Sequence, residues 1–208
     1  MTADRWRSAL RGAVLLLAAG LSACVTLPPR APAPLDPQAR RERLQSLAGF
    51  SLSGRLAVAV GQEGFSANLD WTQRSARTEL DLRAPLGFGS AHVVRDGAKL
   101  NLESSRGERF SGPEAADALA ARLGFDPPLD SLRYWALGVA DPTRPAVESA
   151  GEGGLPAAIE QDGWRIEYTE YKAAVAQGAD TPLPRRLTLT RGPVRLRLVV
   201  DRWTLGAR

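Results

Sequence analysis

The stretch Phe65-Ser66-Ala67-Asn68-Leu69-Asp70-Trp71-Thr72 sets apolar and polar residues at alternate positions. That period of two belongs to a strand with one face in a core and the other in water. Upstream, Phe50, Leu52, Leu56, Val58 and Val60 share one face in the same way. Downstream, Leu80 and Leu82 alternate with Glu79, Asp81 and Arg83. His92-Val-Val-Arg-Asp96-Gly97-Ala-Lys-Leu-Asn-Leu102 then reads as a hairpin with Asp-Gly at its tip. Farther on, Trp164, Ile166 and Tyr168 alternate with Arg165, Glu167 and Thr169. Leu187 and Leu189 precede a Gly192-Pro193 turn, and Val194, Leu196, Leu198 and Val200 run on to Trp203.

Between these strands the period changes. Glu114 to Leu123, with Pro113 near its first turn and Gly124 beyond its end, reads as a helix, and Leu129 to Leu137 as a second. A Gly- and Pro-rich stretch from Gly138 to Pro156 reads as an exposed loop. Ahead of the first strand, Asp36 to Leu47 reads as a short amphipathic helix on Ala39, Leu44 and Leu47, capped by Asp36 and ended by Gly49. The expected fold is α+β and mainly β: a curved antiparallel sheet forming an unclosed barrel, with a helical lid over one opening. Such a sheet either encloses a hydrophobic cavity or packs solid, and the pattern allows both.

The N-terminus is of another kind. Arg5, Arg7 and Arg11 precede the apolar run Gly12 to Leu21, the layout of a secretory signal, and the run is too short to cross a bilayer. It stops at Leu21-Ser22-Ala23-Cys24, which resembles the lipobox of bacterial lipoproteins. Residues 1–23 are therefore expected to be a cleaved signal peptide and Cys24, the only cysteine, the site of lipid attachment. Residues 24–37, rich in proline, suit an extended tether, and residues 38–208 suit a single domain. Residue 25 is Val and not the Asp that marks inner-membrane retention, which favours the outer membrane.

Several function classes lack a footing. The formal charge is +4, and loss of residues 1–23, with three Arg against Asp4, leaves about +2, too little to argue for nucleic acid. The single histidine, His92, lies in a strand, no G-x-S-x-G elbow is present, and no His, Cys or carboxylates cluster at metal-ligand spacing. No glycine-rich phosphate loop opens a helix, since Gly87-Phe88-Gly89 leads into a strand. No enzyme activity, metal or cofactor is expected. Arg185, Arg186, Arg191, Arg195 and Arg197 form a basic stripe, either a solvated face or an attraction for anionic lipid or an acidic partner.

Several segments, taken in order behind the lipobox, resemble the LolB family of outer-membrane lipoproteins. They are Phe50-Ser-Leu-Ser-Gly-Arg55, Phe65 to Gln73, Pro85-Leu86-Gly87, Pro128 to Trp135 with Gly138, Gln161 to Tyr168 with Tyr171, Leu183-Pro184 and Leu198 to Trp203. The resemblance implies a hydrophobic cavity under the lid and a monomer facing the periplasm from the outer membrane. It implies acceptance of acylated lipoproteins from the carrier LolA and their insertion into the inner leaflet of outer-membrane lipid. It also implies that Leu86, between Pro85 and Gly87 on a protruding loop, engages the membrane; folding back on the barrel rim is its ordinary alternative. The apolar strand positions Leu56, Val58, Leu69, Trp71, Leu80, Leu82, Leu100, Leu102, Trp164 and Ile166 are candidates for the cavity lining, each equally explained by core packing. Trp135 on the lid either gates the opening or anchors the helix. A lipocalin-like lipid-binding lipoprotein and an accessory lipoprotein of an outer-membrane assembly machine stay open as alternatives.

Overall fold

A computed structural model describes residues 36–85, 89–176 and 179–206. The chain runs α1 (Pro37–Gln45), β1 (Gly49–Val60), β2 (Glu63–Arg74), β3 (Arg77–Arg83), β4 (Ser90–Asp96), β5 (Lys99–Ser104) and β6 (Arg109–Ser111). Then come α2 (Pro113–Leu123), α3 (Leu129–Ala136), β7 (Val147–Ala150), β8 (Pro156–Gln161), β9 (Trp164–Ala176), β10 (Ala179–Arg191) and β11 (Val194–Leu205). All eleven strands form one antiparallel sheet in the order β6-β5-β4-β3-β2-β1-β11-β10-β9-β8-β7. Every neighbour is consecutive in sequence except β1 and β11, so the chain ends meet mid-sheet and the edges are β6 and β7. Where pairing of those edges would close a barrel, the chain inserts α2 and α3. The expected unclosed barrel with helices is the fold observed.

Leu35–Arg208 is a compact unit of its own. It holds the whole sheet, the three helices and both apolar clusters. The larger cluster joins Phe50, Trp71, Trp135, Trp164 and the inward leucines of β10 and β11. A smaller one, with Val93, Leu100, Leu102, Ala115 and Leu119, lies beneath α2.

Several local readings shift. The β4–β5 hairpin turns on Gly97 and Ala98, with Asp96 already paired to Lys99. Asp162-Gly163 makes a second two-residue hairpin between β8 and β9, with φ of 52° and 74° at the two positions. Those values fit the primed turn that matches strand twist, so Asp-Gly was a hairpin signal there as well. In α1, Ala39 is exposed and Arg40 is buried with Leu44 one turn on. The stretch from Gly138 to Pro156, expected to be an exposed loop, begins in the core, with Gly138, Val139, Ala140 and Asp141 all buried, and it contains the edge strand β7.

Two irregularities bend the sheet. Opposite Ser53 and Gly54, β11 carries an extra residue, so Ser53 pairs with Arg202 and Gly54 with Val200. A Cβ on Gly54 would overlap the Val199 carbonyl oxygen, which is why a glycine stands at this bulge. Gly54→Ala is expected to destabilise the domain by about 2–3 kcal/mol, read as a lower urea midpoint at unchanged slope. Second, β10 pairs with β11 only from Arg186 to Arg191, while its pairing with β9 continues through Pro182 and Pro184. Proline has no N–H to give, so it is tolerated where one flank of a strand has no ladder. The Pro184 carbonyl instead accepts from the Trp203 indole at 3.0 Å, and the Pro182 carbonyl from Arg40 at 3.0 Å.

Candidate functional site: a lidded apolar cavity

Inward side chains of β1–β4, β10 and β11 face α2, α3 and the turn between them across a cavity of about 80 Å³. The sheet contributes Leu56, Val58, Leu69, Trp71, Leu80, Leu82 and Val93 on one side, and Leu187, Leu189, Leu196 and Leu198 on the other. The roof is Leu119 and Leu123 of α2, Phe125 and Pro127 of the turn, and Leu129, Leu132 and Ala136 of α3. Trp71 and Thr78 are the lining residues with a polar side-chain atom, and both turn it to Gln73 Oε1, the Thr78 hydroxyl donating at 2.8 Å and the Trp71 indole at 3.4 Å. The site can therefore offer dispersion and burial of apolar surface, and little else.

Six sequence candidates meet here: Leu56, Val58, Leu69, Trp71, Leu80 and Leu82. The other four do not line this cavity. Leu100 and Leu102 pack into the smaller cluster under α2. Trp164 and Ile166 are in the solid part of the main core, where Trp164 meets Phe125 edge-on at 5.9 Å. Their parity puts them on the concave side as expected, but the roof fills the space in front of them. The lining from β10, β11, α2 and α3 was absent from the candidates. The alternation of Leu187, Leu189, Leu196 and Leu198 was its available signal.

An empty apolar cavity of about 150 Å³ can hold benzene, so 80 Å³ is too small for an acyl chain. An acyl chain would fit only if the roof moved. A second pocket of about 370 Å³ lies next to it. It shares Leu82, Leu119 and Leu123 with the inner cavity and is more open, with Arg106, Glu108 and Arg122 around it. Ala84 and Gly89 line this pocket, and Pro85 is exposed. Leu86 and Gly87 lie outside the described residues, and the loop is closed at its base by a bond from the Ala84 N–H to the Gly89 carbonyl at 2.9 Å.

A buried polar network holds α3 in place. The Trp135 indole, fully buried, donates to Gln161 Oε1 at 2.8 Å, and that oxygen also accepts the Asp141 N–H at 3.0 Å. Gln161 Nε2 donates to the carbonyls of Asp141 and Arg144 at 2.9 and 3.0 Å. The Tyr168 hydroxyl donates to the Trp135 carbonyl at 2.9 Å, and burial pushes its pKa well up, so it remains a donor. At the C-terminal end of α3, Arg40 donates to the carbonyls of Leu137 and Gly138 at 3.2 and 3.1 Å. Burial lowers the pKa of this guanidinium, yet an arginine stays charged, and a cation suits the negative end of a helix dipole. Gly138, at φ 73°, leaves the room this contact needs, since a Cβ there would press on Pro184 and Arg40.

His92 is paired on the surface with Asp81 at 2.8 Å. Among the described residues no group of His, Cys, Asp and Glu is arranged to hold a metal ion.

Comparison with known proteins agrees with this architecture. The model of the family described as outer membrane lipoprotein LolB matches residues 48–203. An outer-membrane lipoprotein LolB of Alkalilimnicola ehrlichii is 36% identical over 197 residues, covering 92% of this chain and 94% of its own. One of Nitrosococcus oceani is 35% identical over 192 residues, covering 89% and 92%. Among solved structures, a LolA superfamily protein of Nitrosomonas europaea has a TM-score of 0.50 at 8% identity, over 82% of this chain and 94% of that one, a likeness of fold alone. On a family match across nearly the whole sheet and relatives above one-third identity over more than nine-tenths of their lengths, the chain belongs to the LolB family of outer-membrane lipoproteins.

Proposed function

We propose that the chain accepts acylated lipoproteins from the periplasmic carrier LolA and inserts them into the inner leaflet of the outer membrane. The observation that carries this reading is the cavity: lined almost wholly by apolar side chains and roofed by helices that form no part of the sheet. Cys24 carries the lipid anchor after cleavage of residues 1–23, and residues 24–37 tether the domain on the periplasmic face. The domain acts as a monomer.

Burying one chain of roughly 16 carbons is worth about 12 kcal/mol at ~0.8 kcal/mol per CH₂, so release into water would be very slow. Cargo must pass from cavity to cavity and then to bilayer. Such a sequence runs without a nucleotide if each recipient binds better than the donor. Within this chain, the shared leucines Leu82, Leu119 and Leu123 separate the outer pocket from the inner cavity, and α2 and α3 swing to enlarge it. Trp135 anchors α3 and does not gate.

Transfer of a radiolabelled lipoprotein from a LolA complex to the purified 35–208 unit tests the reading. Label should move to the unit, and complete retention by LolA would overturn the receptor role. Leu86→Glu is expected to leave uptake from LolA unchanged while reducing delivery to vesicles by more than tenfold. Normal delivery by that variant would remove the loop from the mechanism.

A further inference from the structure

The basic stripe divides once the side chains are placed. Arg185 and Arg186 both pair with Glu170, at 2.5 and 2.7 Å, and hold its carboxyl below the usual range. Arg191 lies over the Trp164 ring at 4.6 Å. Arg195 and Arg197 are different: both are exposed, and neither has an acidic partner among the described residues. Most other surface arginines of the sheet are paired, including Arg55 with Asp201 and Arg165 with Glu160 and Glu167.

The two free cations stand side by side on the outer face of β11, about 7 Å apart as alternate residues of one strand. In register they are flanked by Ala59 and Ala57 on β1 and by Thr190 and Thr188 on β10. All four neighbours are small, so the guanidinium groups project from a low floor. On the other face of the same lip, two strands from Arg195, the Phe65 side chain is 40% exposed. Phe65 shares the outer pocket with Ala84 and Gly89, the base of the loop that carries Leu86. The lip is thus apolar on its inner side and cationic on its outer side.

We propose that this lip seats on an anionic phospholipid surface, with Arg195 and Arg197 meeting headgroup phosphates while Phe65 enters the interface. Cations beside an aromatic at one edge suit the headgroup level of a bilayer. An acidic protein would satisfy the arginines and leave Phe65 in water. Membrane seating is separate from cargo acquisition, so it can fail while transfer from LolA succeeds, and the reverse.

The test is co-sedimentation of the 35–208 unit with vesicles of phosphatidylethanolamine and phosphatidylglycerol, and with vesicles of phosphatidylcholine alone. The unit should favour the anionic vesicles and lose binding as salt rises. The Arg195→Gln/Arg197→Gln pair should weaken that binding roughly tenfold or more. Both side chains are exposed, so its thermal midpoint should match the parent's. Equal affinity for the two kinds of vesicle, or unchanged binding by the double variant, would overturn the proposal. So would absence of binding to either kind of vesicle.

Discussion

Gln161→Leu is expected to lower the thermal midpoint of the domain by about 10 °C. The side chain is buried and makes four hydrogen bonds, accepting from Trp135 and Asp141 and donating to the Asp141 and Arg144 carbonyls. Leucine keeps the bulk and removes all four. Two N–H donors are then left unpaired in the core, at ~1–3 kcal/mol each, and two carbonyls lose a partner at a smaller cost. A total near 3–5 kcal/mol corresponds to roughly 6–20 °C for a domain of this size. Adding Trp135→Phe removes one stranded donor, so the double variant should be less destabilised than the sum of the singles. Calorimetry of the four proteins measures that coupling, and strict additivity would mean the indole bond contributes nothing. A loosened α3 should also raise hydrogen exchange at residues 129–141 before it does so in the strands.

Arg40→Leu is expected to cost about 3 kcal/mol, a fall of roughly 6–12 °C. The guanidinium is buried and reaches three carbonyls, those of Leu137, Gly138 and Pro182. Bonds from a charged donor are worth ~1.5–3 kcal/mol, and the desolvation of Arg40 offsets part of their sum. Its position explains a further expectation. Arg40 ties α1 at once to the end of α3 and to the flank of β10 that β11 leaves unpaired. Its loss should therefore increase the uptake rate of an apolar probe such as a fluorescent fatty acid, because the roof loses one of its polar fastenings. A variant that melts lower but takes up probe at the parent rate would confine Arg40 to a structural role.

Strand identity was legible along most of this chain because a strand's signal is local. Leu69 and Trp71 against Asp70 and Thr72 declare a two-sided sheet with no knowledge of neighbours. The same holds for the helix start at Pro113 and for its end at Gly124, where φ is 78°. Arg40 shows the limit. In the sequence it is one of several charged residues on a helix, and its partners lie 98 and 142 residues away. Gln161 lay inside a segment that carried the family likeness, but nothing adjacent to it says that its amide fastens a helix. Gly54 likewise lies in a segment of the family likeness, while the reason for a glycine there is a carbonyl of β11.

The cavity divides the same way. Alternation placed Leu56, Leu69, Trp164 and Ile166 correctly on the concave side of a curved sheet, since side-chain parity is a property of the strand alone. It did not separate residues that face a void from residues that face packed helix. That distinction separates Leu56 and Leu69 from Trp164 and Ile166, and it depends on where α2 and α3 rest after the sheet has curved. The sequence by itself determined the strands, the helices between them and the apolar side of each, because those follow from local periodicity and turn chemistry. The tertiary structure alone decided which apolar residues enclose a cavity, which polar ones latch its roof, and which arginines were left free, because each depends on contacts between residues far apart in the chain.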